Sequence, residues 1–320
     1  MKRVLLFAAM LVAVSAVYAQ QDFPNRPMRM IVPWPPGQAA DLVGRVMAQK
    51  MGEVLGQQIV IDNRAGAGGM IGTDVAAKAT PDGYTLLSAS SGPVSINPLL
   101  QKTAYDVERE LAPVANVCVA PFLLVTVAQF PAQTARDFVA LLKANPGKYT
   151  FASSGTGATA HMIAEFFNNM AGVQVTHIPY KGSVPALTDV MGGRVAYAFE
   201  TVSATLPHVK SGRLKTYGIS IDRQSALAPG IEPLATAAGL PGFNAAAWIG
   251  VMVTGGTPKA IVDKLGAAAE TAIKSSEVQE KLLSVGVEVD YRRPADFGGY
   301  LKEQRVRYGD IIRKGNIKLE

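Results

Sequence analysis

Residues 28–55 read MRMIVPWPPGQAADLVGRVMAQKMGEVL, and the order of their parts decides the fold. Residues 28–34 are a short apolar strand, Pro35, Pro36 and Gly37 make a stiff loop, and Leu42, Val43, Val46, Met47, Val54 and Leu55 then share one face of an amphipathic helix. The unit recurs. QIVID (58–62) leads into a glycine-rich loop and a helix near 73–79, and Asp82-Gly83 turns the chain into YTLLSAS (84–90). YTFAS (149–153), VQVTHIP (173–179), RVAYAFE (194–200) and LKTYGIS (214–220) are further strands, each followed by a loop or helix. AAWIGVMVT (246–254) is a last strand, and helices near 258–274 and 294–313 finish the chain. Such alternation implies mainly parallel sheets with helices on both faces. There are too many strands for one small sheet, and the apolar run 114–127 reads as a strand bridging two halves. The expectation is two α/β lobes with ligand chemistry at the carboxyl ends of the strands.

Composition narrows the function. The 320 residues carry 31 Lys+Arg against 25 Asp+Glu, 48% apolar residues, 18% charged residues and one Cys. These values exclude a disordered chain, a disulfide scaffold and a multi-cysteine metal protein. An excess of +6 is too small for a nucleic-acid binder built on a dense basic face. Lys2 and Arg3 precede an apolar run from Val4 to Val17 that closes on Val17-Tyr18-Ala19, the pattern of a secretory signal peptide cleaved after Ala19. The run is too short for the roughly 20 residues of a spanning helix. Export to the periplasm follows, and Cys118, alone in VANVCVAPFLLVTV, reads as a buried small residue.

Two loops carry the chemistry. PWPPGQAAD (33–41) joins a strand to a helix beginning near Ala39, whose unpaired N–H groups and dipole suit an anion. Asp41, in the first turn, steadies that turn, since it would repel an anion. ASSGTGATAHMIAEFF (152–167) places Ser and Gly residues between a strand and a helix, a nest fit for a carboxylate or phosphate. Gly155-x-Gly157-x-x-Ala160 also fits a dinucleotide fingerprint, but His177-Ile178-Pro179-Tyr180-Lys181 stands where its acidic residue belongs, and RAGAGGMIG (64–72) fails at Ile71. No cofactor is implied. Catalysis finds little support: there is no G-x-S-x-G elbow, so a hydrolase using Ser153 or Ser154 with His161 is a remote alternative. His161 and Glu165 at i, i+4 read as structural, with three His in the chain and no HExxH. Trp34 and Trp248 each flank a loop and serve as core or as an apolar pocket wall. Lys181, after a strand, is placed to pair with an anion.

Taken together, FPNRPMRMIVPWPPG (23–37), Asp41 with Arg45, IDNRAGAGGMIGTDVAAKATPDGYTLL (61–87), NPGKYTFASSGTGATAHMIAEFF (145–167), HIPYKGSVPALTDVMGGRV (177–195), AAGLPGF (237–243), Trp248-Ile249-Gly250 and GGTP (255–258) resemble, in this order, the Bug family of substrate receptors of tripartite tricarboxylate transporters. The resemblance implies a type II periplasmic-binding topology, with two Rossmann-like lobes joined by a hinge around a cleft for a small carboxylate. Carried across by motif, the first-lobe site is Gly37, Gln38, Ala39 and Ala40 with Ser90 and Ser91. The second-lobe site is Ser153, Ser154, Gly155, Thr156, Gly157, Tyr180, Lys181 and Gly182, and Glu200 ends a strand near the ligand or the hinge. Where the family usually reads Pro-Pro-Gly-Gly, this chain has Gln38.

The expected boundaries are residues 22–121 and 226–320 for the first lobe and 122–225 for the second. The function expected is that of a monomeric periplasmic receptor, not an enzyme, delivering a di- or tricarboxylate, amino acid or aromatic acid to integral-membrane permease subunits. The alternative is a sensor presenting the same closed complex to a two-component sensor kinase. Neither role involves nucleic acid.

Overall fold

The computed structural model describes residues 23–318, so the expected signal peptide lies outside the described residues. Among those described, no helix is long and apolar enough to cross a membrane. The strands are β1 (Met28–Val32), β2 (Ile59–Asn63), β3 (Thr85–Ser90), β4 (Leu111–Ala120), β5 (Phe122–Val127), β6 (Thr150–Ser153), β7 (Thr176–Pro179), β8 (Tyr197–Thr201), β9 (Leu214–Ile219), β10 (Ala247–Thr254) and β11 (Glu288–Arg292). Helices of eight residues or more are α1 (Ala39–Leu55), α2 (Met70–Ala77), α3 (Ala135–Ala144), α4 (Thr159–Ala171), α5 (Ser183–Met191), α6 (Val202–Lys210), α7 (Lys259–Lys274), α8 (Ser276–Ser284) and α9 (Pro294–Lys314).

Two sheets form, in the orders β11-β4-β10-β3-β1-β2 and β7-β6-β8-β5-β9. Each contains one parallel trio, β2-β1-β3 in the first sheet and β7-β6-β8 in the second. The remaining pairings are antiparallel, so the sheets are mixed rather than mainly parallel. The physical reason is the route between lobes: β5 enters the second sheet beside β8, and β10 returns beside β3, each running against its neighbour.

The apolar run 114–127 is two strands. Pro121 has no N–H to give a ladder and stands between β4, which ends in the first sheet, and β5, which begins in the second. The return crossing lies at 244–247. Sequence patterning puts it at 225/226, but Leu234, Ala238, Leu240 and Phe243 pack with Phe138, Phe167 and Phe199 in the second lobe's core. Ser220 pins both crossings. Its N–H donates to Phe122 O (2.9 Å), its Oγ accepts from Phe122 N (3.0 Å) and donates to Ala245 O (2.6 Å), and Ala245 N–H donates to Ser220 O (2.9 Å).

Helix α1 lays Val43, Met47 and Met51 on the first sheet and against Leu265, Ala268 and Ala272 of α7, ending at Gly56 in the left-handed region (φ 70°). Val54, expected on that apolar face, is exposed in the last turn. Strand β11 carries the sequence EVDYR at the sheet edge, half-buried throughout; Val289 and Tyr291 alternate with charged residues, a short strand pattern absent from the strands expected on sequence. Helix α9 begins over the first sheet, where Phe297 meets Trp248 edge-on (centroids 5.3 Å apart), and reaches the second lobe, where Tyr308, Ile311 and Ile317 enclose Met162 of α4 with Ile96. Trp248 is therefore core, as is Cys118.

Helix α2 sits so close to β1 that a Cβ on Gly72 would lie 2.6 Å from Arg64 O and 2.7 Å from Pro33 Cα. Both are backbone atoms at the exits of β2 and β1, and they cannot yield without shifting those loops. Gly72→Ala should lower stability by roughly 1–3 kcal/mol, read as a reduced urea midpoint at unchanged m-value.

Candidate ligand-binding cleft

The register of the crossings makes the two carboxyl edges face each other. Ala120 pairs with Ala247, and two residues further along β10 Ile249 pairs with Ser90, so β4 leaves the first sheet at the edge where β1, β2 and β3 end. One residue later Phe122 pairs with Thr201, at the edge where β6, β7 and β8 end. The loops following the parallel strands of both lobes thus border one interlobe cleft.

In the first lobe, Pro35, Pro36, Gly37 and Gln38 are exposed at the cleft. Trp34 walls this loop, its Nε1–H donating to Ser90 Oγ (2.9 Å) and its ring lying under Gly69 and Gly92. Asp41 sets the loop's shape. Its carboxylate accepts from Gly37 N (2.9 Å), Arg45 Nε (3.0 Å) and Asn63 Nδ2 (2.8 Å), and Asn63 Nδ2 also donates to Trp34 O (3.0 Å). Burial alone would raise the Asp41 pKa, but the hydrogen bonds from Arg45, Asn63 and Gly37 outweigh it and hold the carboxyl below its usual range. Gly37 N–H is consequently turned inward. The N–H groups of Ala39 and Ala40, at the start of α1, have no protein acceptor among the described residues.

The second lobe repeats the device. Ser153 is fully buried, its Oγ donating to Gly155 O (3.0 Å), accepting from Gly155 N (3.2 Å) and lying 2.7 Å from His177 Nε2. Gly157 N–H donates to His161 Nδ1 (3.1 Å). Ser153, Gly155 and Gly157 therefore shape the loop from beneath, while Ser154 and Thr156 are its partly exposed surface. At the start of α4 the N–H groups of Thr159 and Ala160 have no protein acceptor among the described residues. A hydrolase is not assembled here: Ser153 faces His177, not His161, and has no exposed surface.

The 180–182 loop is the second lobe's other contribution. Tyr180 N–H donates to Ser153 O (3.0 Å), and Tyr180 Oη donates to Asp189 Oδ2 (2.6 Å). Burial first, then this bond to Asp189, pushes the Tyr180 hydroxyl up to about 12, so it stays a neutral donor. Lys181 is exposed, and Gly182 (φ 114°) makes the turn into α5 that a side chain would strain. Glu200, at the end of β8, is 2% exposed. Its Oε2 accepts from Ser183 Oγ (2.8 Å), and its Oε1 has no side-chain partner among the described residues.

The lobes touch at this point. Ser91, directly after β3, and Thr159, opening α4, bring their hydroxyl oxygens within 3.2 Å across the cleft. A chain of contacts thus runs from the Pro-Pro-Gly loop through Trp34 and Ser90-Ser91 to the second glycine loop. Asn63, His177 and Ser183 take structural parts in the site without any sequence signal. Asp41 did have one, an acid in the first turn of a helix.

Two hinged α/β lobes whose facing loops hold polar groups to grip rather than attack define a bilobal solute-binding receptor. Residues 43–317 match the tripartite tricarboxylate transporter family receptor, and the chain belongs to that family of periplasmic solute receptors, which are not enzymes. It is 36% identical to BugT of Bordetella pertussis over 96% of this chain and 94% of that protein. An R. palustris protein solved with adipate superposes with a TM-score of 0.79 at 29% identity, covering 93% of this chain and 99% of that one. MatC from Rhodopseudomonas palustris, with bound malate, superposes at 0.74 with 31% identity, covering 91% and 100%.

Burial, only partly offset by the Ser183 and Thr201 hydrogen bonds, raises the Glu200 pKa to about 7. The folded state therefore binds a proton that an unfolded carboxyl releases near pH 4–5, and stability declines as pH rises from that value toward 7. Glu200→Gln, which mimics the protonated group, should be more stable than the parent by roughly 1–3 kcal/mol at pH 8. The gap should close below about pH 4.5, a trend that parallel urea unfolding curves at the two pH values would reveal.

Proposed function

We propose that the cleft binds a small dicarboxylate, one carboxylate at each helix start, and that the closed complex delivers it to the membrane permease of a tripartite tricarboxylate transporter. The observation that supports this reading is the Ser91–Thr159 contact, which joins the end of β3, next to the Trp34–Ser90 bond, to the start of α4 across the lobes. A helix N-terminus favours negative charge through both its free donors and its dipole. Ala39 and Ala40 supply the first-lobe donors, and Thr159 and Ala160 those of the second. Gln38, Ser91, Ser154, Thr156, Lys181 and Gly182 line the space between and select among carboxylates. Trp34 gives the site an apolar wall for a short methylene chain, and relatives solved with adipate and malate carry ligands of this kind.

The magnitudes are sufficient. Each hydrogen bond to a charged group contributes roughly 1.5–3 kcal/mol net. Four such bonds, less the entropy of holding the ligand and closing the lobes, reach about −8 kcal/mol, a dissociation constant near micromolar. Lobe closure buries the ligand and forms a surface that exists only in the loaded state, which is what a permease needs to distinguish full from empty receptor.

Titration calorimetry with malate, adipate and their mono- and tricarboxylate analogues tests this directly. A dicarboxylate should bind at about micromolar Kd and raise the melting temperature at saturating concentration. An unchanged melting temperature across the whole carboxylate panel would overturn the proposal.

A further inference from the structure

Beneath the second glycine loop lies a stacked pair of imidazoles, one buried and one half-buried, that receptor chemistry does not by itself require. The rings of His161, on α4, and His177, on β7, stack with centroids 3.7 Å apart and planes 12° from parallel. Phe151 of β6 stacks under His177 at 4.8 Å, and Tyr197 of β8 under Phe151 at 5.6 Å, so the pair sits on an aromatic column inside the lobe. His161 is 3% exposed.

A hydrogen bond defines the His161 proton. Gly157 N–H donates to His161 Nδ1 (3.1 Å), which requires a lone pair there and puts the ring proton on Nε2, 3.8 Å from Glu165 Oε1. Ser153 Oγ, bonded to both the N–H and the carbonyl of Gly155, lies 2.7 Å from His177 Nε2, a hydrogen bond whose direction follows the ring's tautomer. Each imidazole thereby fixes one side of the 154–157 loop: His161 holds Gly157 directly, and His177 holds Gly155 through Ser153. The groups facing the pair are Glu165 from α4, Ser153 and Gly157 from the loop, and Tyr197 from β8, whose hydroxyl turns away to Asn168. Glu165 lies on the side of His161 that already carries a proton.

We propose that His161 is a positioning residue for ligand binding: its ring, stacked on His177, accepts from Gly157 N–H and so holds the second-lobe loop in the ligand-accepting form. This rests on the reading that the cleft takes a small carboxylate. Without the Nδ1 acceptor the Gly157 N–H loses its partner and nothing ties that side of the loop to α4. Only the fraction of receptor with a held loop is competent to bind, and apparent affinity falls with that fraction.

The test compares the full chain with His161→Asn and His161→Phe at pH 7.5, using malate and adipate as probes. Asn places an amide oxygen where Nδ1 stands, and Phe keeps the stack without an acceptor. His161→Phe should bind about tenfold more weakly than the parent, and His161→Asn should recover most of that loss. Equal affinity of His161→Phe and the parent, or no recovery in His161→Asn, would overturn the proposal. A ligand-free arm follows the Gly157 amide ¹⁵N signal, which should move in His161→Phe and stay near the parent position in His161→Asn. A Gly157 amide that is stationary in His161→Phe overturns the positioning role even if no carboxylate binds, whereas failure of every probe with a moving amide removes the carboxylate reading alone.

Discussion

The buried carboxylate of Asp41 is the constraint on which the first lobe's share of the cleft depends. It is 1% exposed and ionised, a costly state that persists because Arg45, Asn63 and Gly37 N–H each donate to it. Satisfying that charge fixes the loop. Gly37 must turn its amide inward, Asn63 at the end of β2 must approach Trp34 O, and the exits of β1 and β2 are tied to the first turn of α1. Ala39 and Ala40 then present their amides outward because no acceptor remains for them.

The second lobe reaches the same outcome with neutral groups. Ser153 and His161 take the amides of Gly155 and Gly157, and the start of α4 keeps its own amides open. On the proposed reading, an anion meets backbone donors whose positions are set from below by fully engaged side chains. Such donors need little rearrangement on binding, so less of the interaction is lost to ordering flexible groups. A hinge pinned through Ser220 lets the lobes rotate as units around this preformed chemistry, and the split of an apolar run at Pro121 is what separates those units.

Much of this was legible along the chain. The alternation of strand and helix named the fold class, and the two Ser/Gly/Pro loops between strand and helix marked both halves of the cleft. The first-turn position of Asp41 announced a local role. Other residues were silent. Asn63 sits in an ordinary glycine-rich stretch, and its partner Asp41 is 22 positions away in sequence. His177 shows no spacing relation to Ser153, because adjacent parallel strands impose none. Ser153 looks like a loop hydroxyl and is interior, since β6 is covered on both faces and buries Phe151, Ala152 and Ser153 in succession. Strand β11 does alternate, Val289 and Tyr291 against charged neighbours, but it is only five residues long and half-exposed throughout at a sheet edge, so its signal is weak.

By itself the sequence determined what is local: the periods of two and 3.6, the prolines and glycines that break them, and the helix starts able to receive an anion. Tertiary structure alone decided which amides stay open, that Glu200 and His161 are buried, and that the segment around Leu234–Phe243 belongs with the second lobe. Those outcomes depend on contacts between residues far apart in the chain, where satisfying one buried polar group removes the choices of another. No reading of neighbours along the chain contains that competition.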